Sequence, residues 1–293
     1  MMADPLLLDG KAAARAVRAE LAQRVAALGA HYVKPGLRIL QVGSDPASSI
    51  YVASKVKGSA KIGIDAQVER LPDSAGFVDI ARVIGSWNRD SSVHGFIVQL
   101  PLPCGIDAGA VLPLLNPDKD VDGLSPASLG ALASGRPRFT PATPTGIIEL
   151  LVRNGITISG KRVVIVGRGE LIGRPLASML LLRGERGDAT VTVCHSRTRD
   201  LGAVCRTAQI LVVATGRAGL VTGDMVDEGV VVVDAGTNSV DGKLVGDVDF
   251  ESIAPKASAI TPVPGGVGPM TVAMLLANTV RAAELASGVA SRD

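Results

Sequence analysis

The chain has 293 residues, about twice the usual length of a single domain, so we expect two domains. Its composition is 47% hydrophobic but only 2% aromatic, and its cores must therefore be built mainly from alanine, valine, leucine and isoleucine. The 30 basic and 28 acidic side chains leave a formal net charge of +2 without a basic run, which argues against a nucleic acid partner.

Cysteine usage and the first residues give expectations about the compartment. Cys104, Cys194 and Cys205 are too scattered for a disulfide framework, so we interpret them as small reduced core residues. Neither the cysteines nor the histidines have the spacing of a metal site, and we expect none. The opening MMADPLLLDG lacks the features of a secretory signal, and no apolar stretch reaches the roughly 18 residues of a membrane span. We therefore expect a cytoplasmic protein with no membrane partner.

The first half of the chain alternates between helical and strand patterns. Apolar residues at 14, 17, 21, 25 and 28 form one stripe and predict a helix over 11–28 that stops at Gly29. The other predicted elements are a strand at 37–43, a helix from near Ser48 to Gly63, a strand at 66–72, a helix at 77–88, a strand at 93–103, a short helix at 106–116 and an acidic loop at 117–126. This alternation predicts an α/β layer with a largely parallel sheet.

A second α/β series follows the proline-rich segment 136–146, which we take as the domain boundary. Thr143 is the predicted N-cap of a helix over 143–155, because Pro144 suits the first helical position. Strands are predicted at 162–167, 189–195, 209–216 and 229–236, and a final helix at 269–286. Ligands of such sheets bind beyond the carboxyl ends of the strands, so a site is expected in the turns that follow them.

The segment 163–175, VVIVGRGELIGRP, combines a buried strand with a glycine turn, and a helix follows as LASMLLLRG. Backbone N–H groups at a helix start face an anion, and Gly167, Gly169 and Gly173 let a phosphate approach the backbone. Their spacing is one residue longer than the dinucleotide fingerprint, so a tight turn that binds nothing remains an alternative. The order of strand, glycine turn and helix predicts a site for a phosphate-bearing cofactor.

The turn after the next strand bears on which cofactor this is. NAD enzymes usually have a carboxylate there to hold the ribose 2′-hydroxyl, but this chain has His195, Ser196, Arg197 and Thr198. A hydroxyl and a guanidinium suit a 2′-phosphate, and Arg168 in the glycine turn supplies a second cation. We therefore predict NADP rather than NAD. An ordinary solvated surface arginine is the alternative for Arg197.

Tyr51 and Lys55 lie four residues apart in a helical stretch, so they share one face. A tyrosine hydroxyl can orient an ammonium, and a lysine carries protons usefully only if its pKa is lowered toward neutrality. A surface lysine is the alternative, which Lys57 and Lys61 fit better. Tyr-x-x-x-Lys is also the catalytic pair of short-chain dehydrogenases, but there it follows the nucleotide-binding glycines. Here it precedes them by more than a hundred residues, which argues against that class.

Two further features of the first half bear on chemistry. Gln99 sits where a buried strand breaks into the proline-rich turn LPLP, and there a neutral amide either binds a ligand or a lysine, or only satisfies backbone groups. Asp118, Asp120 and Asp122 crowd the loop PDKDVDG, which lacks the ligand number and spacing of a calcium loop. A carboxylate in this loop could instead hold a ring that bears N–H donors.

Six motifs then occur in a fixed order: Y-V-x-x-K-x-K, V-Q-L-P-L-P, P-x-K-D-V-D-G, T-P-x-G, V-G-R-x-x-x-x-G-R-P and P-V-P-G-G-V-G-P-M-T. Together they resemble the bifunctional methylenetetrahydrofolate dehydrogenase/methenyltetrahydrofolate cyclohydrolase family, the FolD type, from about Leu8 to Ala283. The resemblance implies two domains around a cleft. These are an N-terminal α/β catalytic domain (1–143 with 270–293) that binds folate and a Rossmann-type NADP-binding domain (144–269).

The resemblance also implies an NADP-dependent homodimer with two activities. The first oxidises 5,10-methylenetetrahydrofolate to the methenyl form with NADP⁺, and the second hydrolyses that product to 10-formyltetrahydrofolate. Both belong to one-carbon metabolism and supply purine biosynthesis.

By motif position, the resemblance implies that Lys55 is the catalytic lysine, that Tyr51 stacks on the folate, that Gln99 tunes Lys55 and that Asp122 binds the pterin. The implied folate-binding residues are Tyr51, Lys55, Val98, Gln99, Leu100, Asp122, Pro264, Gly265, Gly266, Val267 and Gly268. The implied cofactor-binding residues are Gly167, Arg168, Gly169, Gly173, Ser196, Arg197 and Thr237.

The chain departs from the family pattern at two positions. Gly169 stands where the family usually has serine, which predicts a lost hydroxyl contact and weaker cofactor binding. Ala142 stands where a cysteine usually precedes T-P-x-G. Two alternatives to the bifunctional enzyme are a paralogue with one activity and a non-catalytic NADP-binding regulatory protein. The second would be expected to have lost the polar residues of the first half.

Overall fold

The computed structural model describes residues 4–289 of the chain. The elements of its first part are β1 (Leu6–Leu7), α1 (Gly10–Gly29), β2 (Gly36–Val42), α2 (Pro46–Ala60), β3 (Asp65–Leu71), α3 (Phe77–Arg89), β4 (Gly95–Val98), α4 (Ala108–Val111), α5 (Pro126–Ala133) and α6 (Ala142–Arg153). Those of its second part are β5 (Arg162–Val166), α7 (Gly173–Leu180), β6 (Thr190–Cys194), α8 (Leu201–Arg206), β7 (Ile210–Val213), β8 (Val231–Asp234), β9 (Asn238–Val240), β10 (Lys243–Val245), α9 (Phe250–Ile253), β11 (Ala259–Ile260) and α10 (Val267–Ser287).

The chain forms two compact units. The first-half unit comprises Arg15–Ala142 and the described residues from Val272 onward, and the second-half unit comprises Thr143–Thr271 and the described residues before Arg15. The opening residues therefore belong to a different unit from the one that the sequence assigns them to. The reason is that β1 pairs in parallel with β11, which makes Leu6–Leu7 part of the second-half sheet.

The first-half unit is built on a parallel three-stranded sheet in the order β3-β2-β4. One face of the sheet packs on α3, where Ile80 and Ile84 lie against Leu40 and Phe96. Side chains alternate between the two faces of a strand, so Gln41 and Gln99 point to the opposite face from Leu40 and Val98. That opposite face lies against α2, since Gln41 Nε2 donates to Ser49 Oγ at 2.9 Å.

The second-half unit contains a six-stranded sheet in the order β1-β11-β8-β7-β5-β6, and all its strand pairs are parallel. Continuous apolar sequence marks β5, β7 and β8, because helices cover both faces of such a sheet. The chain leaves β5 for β6 on one side and places β7 on the other. This reversal of strand order is where open parallel sheets bind ligands.

Several predicted boundaries are wrong for physical reasons. The third strand ends at Val98 rather than at 103, since Pro101 and Pro103 have no N–H for a sheet. The helix after the glycine turn begins at Gly173 rather than at Leu176 and ends at Leu180.

The caps and short elements also differ from the predictions. Thr143 is not an N-cap, because α6 begins at Ala142 and the Thr143 hydroxyl lies 3.0 Å from that of Thr271. The final helix begins at Val267, two residues earlier than predicted. The sequence patterns missed α5, α8, α9, β1, β11 and the antiparallel hairpin β9–β10.

Of the three cysteines, Cys194 and Cys205 are buried in the second-half core as expected, whereas Cys104 is exposed. Burial raises the pKa of the Cys205 thiol to about 11, so it stays protonated at neutral pH. Among the described residues, no helix is both long and apolar enough to cross a bilayer.

Candidate functional site

Helix α2 places Tyr51 and Lys55 one turn apart. Pro46 begins the helix, and the Asp45 carboxylate caps it by accepting from the Ser48 N–H at 2.7 Å. Tyr51 is 43% exposed whereas Lys55 is only 8% exposed, so the lysine faces the sheet and the tyrosine reaches toward solvent. Lys57 and Lys61 are exposed on the same helical stretch. Lys55 is thus not a surface lysine.

Gln99 stands at the carboxyl end of β4 and contacts Lys55 directly. Its backbone N–H donates to the Leu40 carbonyl at 2.8 Å, which fixes the residue beside β2. Its Nε2 donates to the Leu100 carbonyl at 2.7 Å, and its Oε1 accepts from Lys55 Nζ at 2.9 Å. In the reverse orientation of the amide, Gln99 Nε2 would face the Lys55 ammonium, which is also a donor, and Oε1 would face the Leu100 carbonyl, which is also an acceptor. The backbone therefore determines that Lys55 meets a neutral oxygen.

The charges of Lys55 and Asp122 are coupled. Burial lowers the pKa of the Lys55 ammonium, and the carboxylate of Asp122 partly opposes that shift. Burial raises the pKa of Asp122, and the negative charge of Asp120 raises it further, whereas the positive charge of Lys55 lowers it. Desolvation thus draws both groups toward their neutral forms, and such shifts are typical of functional sites.

The three carboxylates of the loop 117–126 have different surroundings. Asp118 pairs with Arg138 at 3.0 Å on the surface. Asp120 is fully buried and accepts from the Gly123 and Ser125 N–H groups at 3.0 and 2.9 Å and from the Ser128 hydroxyl at 2.6 Å. Within residues 4–289 no group of His, Cys, Asp or Glu has the arrangement of a metal site. Asp120 therefore orders the loop that presents Asp122, a role that the sequence pattern did not reveal.

The second-half unit has a cavity of about 660 Å³ at the carboxyl ends of β5, β7 and β8. It is lined by Arg168, Gly169, Glu170, Leu171, Ile172, Arg174, Ala214, Gly216, Ala235, Gly236, Thr237 and Asp247. Three of the predicted cofactor residues, Arg168, Gly169 and Thr237, are among these. Ala214 and Gly216 after β7, and Ala235 and Gly236 after β8, were missed, although their position at strand ends was the signal that could have found them.

Two of the three glycines in the turn are required by close packing. Gly167 has a φ of +124°, and a Cβ there would lie 2.1 Å from the Ala214 carbonyl oxygen. A Cβ on Gly173 would lie 2.1 Å from the Gly167 carbonyl oxygen. A Cβ on Gly169 meets nothing within 4 Å. Gly167 and Gly173 therefore bring β7 and the start of α7 close to the turn, whereas Gly169 leaves open space.

Ser196 and Arg197 follow β6 and are absent from the cavity lining. Their turn is closed by two bonds: the His195 N–H donates to Thr198 Oγ1 at 2.9 Å, and the Arg197 N–H donates to His195 Nδ1 at 3.1 Å. Both side chains are exposed. Since β6 pairs with β5, this turn lies next to the glycine turn at the sheet edge.

The predicted substrate residues fall in both units. The loop 264–268 belongs to the second-half unit. The first-half unit contains the other predicted substrate residues, which are Tyr51, Lys55, Gln99, Asp122, buried Val98 and half-buried Leu100. In that loop Gly266 is buried, and the Gly265 carbonyl accepts from the Lys11 N–H at 3.1 Å. A Cβ on Gly10 would lie 1.7 Å from the Gly266 carbonyl oxygen, so the start of α1 abuts this loop.

The loop also contains Pro264, which follows a cis peptide bond and is exposed, together with buried Val267 and exposed Gly268 at the start of α10.

Comparison with known proteins decides the family. Residues 8–122 match the tetrahydrofolate dehydrogenase/cyclohydrolase catalytic domain, and residues 141–287 match the NAD(P)-binding domain of the same family. The chain belongs to the tetrahydrofolate dehydrogenase/cyclohydrolase family. The bifunctional protein FolD of Moorella thermoacetica is 51% identical over 278 residues, which cover 94% of this chain and 98% of that protein.

Solved structures of this family agree. The bifunctional FolD of Campylobacter jejuni is 45% identical, covers 95% of this chain and 98% of its own, and has a TM-score of 0.92. The Trypanosoma brucei FolD, complexed with NADP cofactor and inhibitor, is 39% identical, covers 99% and 100%, and also has a TM-score of 0.92.

Membership confirms the α/β fold class with a parallel sheet and an NAD(P)-binding domain. It makes the chain a methylenetetrahydrofolate dehydrogenase and methenyltetrahydrofolate cyclohydrolase, acting on tetrahydrofolate derivatives. No finding favours the paralogue with one activity or the non-catalytic protein.

Proposed function

We propose that Lys55 is the proton carrier of the cyclohydrolase reaction and that the cavity of the second-half unit binds NADP for the dehydrogenase reaction. The hydrogen bond from the buried Lys55 ammonium to the neutral Gln99 oxygen carries this proposal. A lysine held by a carboxylate would keep its proton, whereas burial beside a neutral amide lowers the pKa of a lysine and makes it easier to give up and regain a proton.

Hydrolysis requires the added water to lose both of its protons and the leaving nitrogen to gain one. Water adds to the methenyl carbon of the cationic substrate and loses a proton to the neutral Lys55 amine. The ammonium then protonates the leaving nitrogen, the carbon–nitrogen bond breaks, and the remaining hydroxyl proton passes to solvent, which leaves neutral 10-formyltetrahydrofolate. The positive charge of the substrate also disfavours the ammonium before the reaction begins, which keeps Lys55 ready as a base.

The neighbours of Lys55 have positioning and binding roles in this proposal. Gln99 holds the amine in place without adding a charge, and Asp122 binds the N–H donors of the pterin ring. The half-exposed Tyr51 ring stacks on the folate. Val98 and Leu100 line the folate, and the loop 264–268 of the other unit reaches the nicotinamide side of the cofactor.

The glycine turn fits a dinucleotide. Gly167 and Gly173 allow close packing at the strand end, and the cavity beside them places Arg168, Gly169 and Thr237 around an open volume. NADP supplies the hydride acceptor when bound. Hydride transfer needs little acid–base chemistry, so these residues act by positioning. Arg168, Ser196 and Arg197 bind the 2′-phosphate and favour NADP over NAD.

We further propose that the first-half unit, Arg15–Ala142 with the described residues from Val272 onward, acts as the folate-binding domain and that the second-half unit acts as the NADP-binding domain, in a cytoplasmic homodimer. The family resemblance supports the domain roles and the dimer, and the balanced charge supports the absence of a nucleic acid partner. Light scattering of the purified protein tests the dimer.

One spectrophotometric assay tests the enzymatic proposal. The enzyme is mixed with methylenetetrahydrofolate and either NADP⁺ or NAD⁺, and the methenyl product is followed as it forms and then decays. We expect formation with NADP⁺ to be faster than with NAD⁺, followed by decay faster than the uncatalysed rate. Equal rates with NAD⁺ contradict the assignment of Ser196 and Arg197, and uncatalysed decay contradicts that of Lys55.

A further inference from the structure

Two buried carboxylates lie beside the cavity of the second-half unit, and the proposed chemistry uses neither. Asp234 ends β8 and is 2% exposed, and Asp247 follows the hairpin β9–β10 and is fully buried. Buried carboxylates are costly unless they are fully hydrogen-bonded. Their partners therefore show what they are for.

Asp247 joins the turn after β7 to the segment after β8. Its Oδ2 accepts from the Thr215 N–H and hydroxyl and from the Gly216 N–H, the last at 2.9 Å. Its Oδ1 accepts from Asn238 Nδ2 at 2.8 Å. Gly216 lines the cavity, and Asn238 follows Thr237, which also lines it. One carboxylate thus fixes two separate walls of the cavity.

Asp234 fixes Asp247 in turn. Its carboxylate accepts from the backbone N–H groups of Asp247 at 2.9 Å, Val248 at 3.0 Å and Gly236 at 2.8 Å. Burial raises the pKa of Asp234, these three N–H groups oppose the shift, and the charge of Asp247 adds to it. The position of Asp247 is therefore set by main-chain bonds rather than by flexible side chains.

The glycines next to the two carboxylates are required, because any side chain there would overlap a carboxylate. A Cβ on Gly246 would lie 1.7 Å from Asp234 Oδ2, and a Cβ on Gly236 would lie 2.2 Å from Asp247 Oδ1. Each glycine thus provides the space that the other segment's carboxylate fills. The backbone after β8 and the backbone after β10 are built around these two side chains.

We infer that Asp247 is a positioning residue for the dehydrogenase reaction, because it holds Thr215, Gly216 and Asn238 where the cavity can receive the cofactor. The inference rests on the proposed function, which places NADP in this cavity. Residues after β5, β7 and β8 form the cavity, and the turn after β6 does not contribute to it. Asp247 therefore acts on the part of the cofactor that lies in this cavity rather than on the part beside the turn after β6.

The test compares Asp247→Asn with wild type and with Asp249→Asn. In Asp247→Asn one carboxylate oxygen becomes an NH₂ group, which cannot accept a hydrogen bond. Depending on how the amide is oriented, the bonds from Thr215 and Gly216 or the bond from Asn238 are lost, and that wall of the cavity is no longer held in place. Asp249 is the matched control, because it lies two residues on, lines a different cavity and has no capping hydrogen bond. NADP⁺ binding is measured by calorimetry, and kcat and KM are measured for both activities.

We expect Asp247→Asn to raise the Kd and KM for NADP⁺ at least tenfold, with a smaller change in dehydrogenase kcat. The cyclohydrolase kcat should change less than twofold, since Lys55 belongs to the other unit. Asp249→Asn should bind as wild type does. Unchanged NADP⁺ binding in Asp247→Asn, or equal weakening in both variants, overturns the inference.

Two further outcomes are decisive. Wild-type protein that does not bind NADP⁺ overturns the proposed function itself. If Asp247→Asn does not fold, Asn238→Ala replaces it, because this change removes only the bonds of Asn238 to Asp247 and to the 245–246 backbone. A Kd raised at least threefold in Asn238→Ala supports the inference, and an unchanged Kd overturns it.

Discussion

Two regions of the molecule, the surroundings of Lys55 and the segments after β8 and β10, bury charged side chains in opposite ways. In the first-half unit, Lys55 is surrounded by the protein and has a hydrogen bond to the neutral Gln99 amide. In the second-half unit, Asp234 and Asp247 receive main-chain N–H groups from several segments. The lysine can therefore exchange its proton without loss of structure, whereas the carboxylates cannot lose their charge without disturbing the backbone.

This difference separates a group that performs chemistry from groups that form a scaffold. A buried charge whose partners are few and neutral has a shifted pKa that suits proton transfer. A buried charge that many donors satisfy is fixed in place. It follows that single substitutions in the Lys55 cluster should have large and specific effects. Substitutions in the cofactor turn should have smaller ones, because many groups share the binding.

The largest expected effect is that of Lys55→Met. The change removes the proton carrier, so cyclohydrolase kcat should fall at least 100-fold, in the range typical of general acid–base catalysis, while folate binding persists. The rate at which the methenyl product decays measures hydrolysis, and equilibrium dialysis measures folate binding. Lys57→Met, in the same helix but exposed, is the control and should retain normal hydrolysis. Normal hydrolysis in Lys55→Met itself refutes the role.

The next effect concerns the pH dependence of hydrolysis. The neutral amine is the active base, so the rate rises as pH increases through the pKa of Lys55. The charge of Asp122 opposes the lowering of that pKa by burial. Asp122→Asn removes the charge, so the rising limb of cyclohydrolase kcat against pH should move to lower pH. The folate KM should rise about tenfold, because a charge-assisted hydrogen bond is lost. A limb that stays in place or moves to higher pH contradicts the coupling.

Arg197→Ala should have a smaller effect, limited to one cofactor. An exposed guanidinium bound to a phosphate is screened by solvent, so we expect the Kd for NADP⁺ to rise about fivefold and that for NAD⁺ to stay constant. Titration of cofactor fluorescence at two salt concentrations measures both. Arg199→Ala, exposed in the same turn, is the control. Equal weakening by both substitutions indicates general charge attraction rather than a 2′-phosphate contact.

The smallest expected effect is a gain. A Cβ at Gly169 meets no atom within 4 Å, so Gly169→Ser adds a hydroxyl to the turn without displacing anything. We expect NADP⁺ to bind about two- to fivefold more tightly, through one added hydrogen bond of about 0.5–1 kcal/mol. Gly169→Ala has the same Cβ without the hydroxyl and should leave the Kd unchanged. Tighter binding in the alanine variant would assign the gain to a stiffer turn instead.

The parts of this molecule that sequence predicts are those that local chemistry determines. The alternation of strands and helices, the glycine turn and the shared face of Tyr51 and Lys55 all follow from spacing. The hairpin β9–β10 also had a local signal, since Asp241 and Gly242 both have positive φ in its turn and Asp-Gly is typical of such turns. That signal was overlooked.

Other features depend on contacts that no spacing reveals. The burial of Lys55 and its bond to Gln99 join residues 44 positions apart. Asp234 and Asp247 bind backbone N–H groups, which every residue except proline has, so no motif marks their partners. β1 is a strand only because a distant segment offers it an edge, and two leucines alone cannot indicate that.

The pairing of β1 with β11 also determines when the second-half sheet can form during translation. Leu6–Leu7 is made about 250 residues before its partner Ala259–Ile260. At roughly 5–20 residues per second, the ribosome needs about 13–50 s to produce the partner. The second-half sheet therefore cannot be completed until Ile260 has been made, whereas β2, β3 and β4 can pair once Val98 has been made.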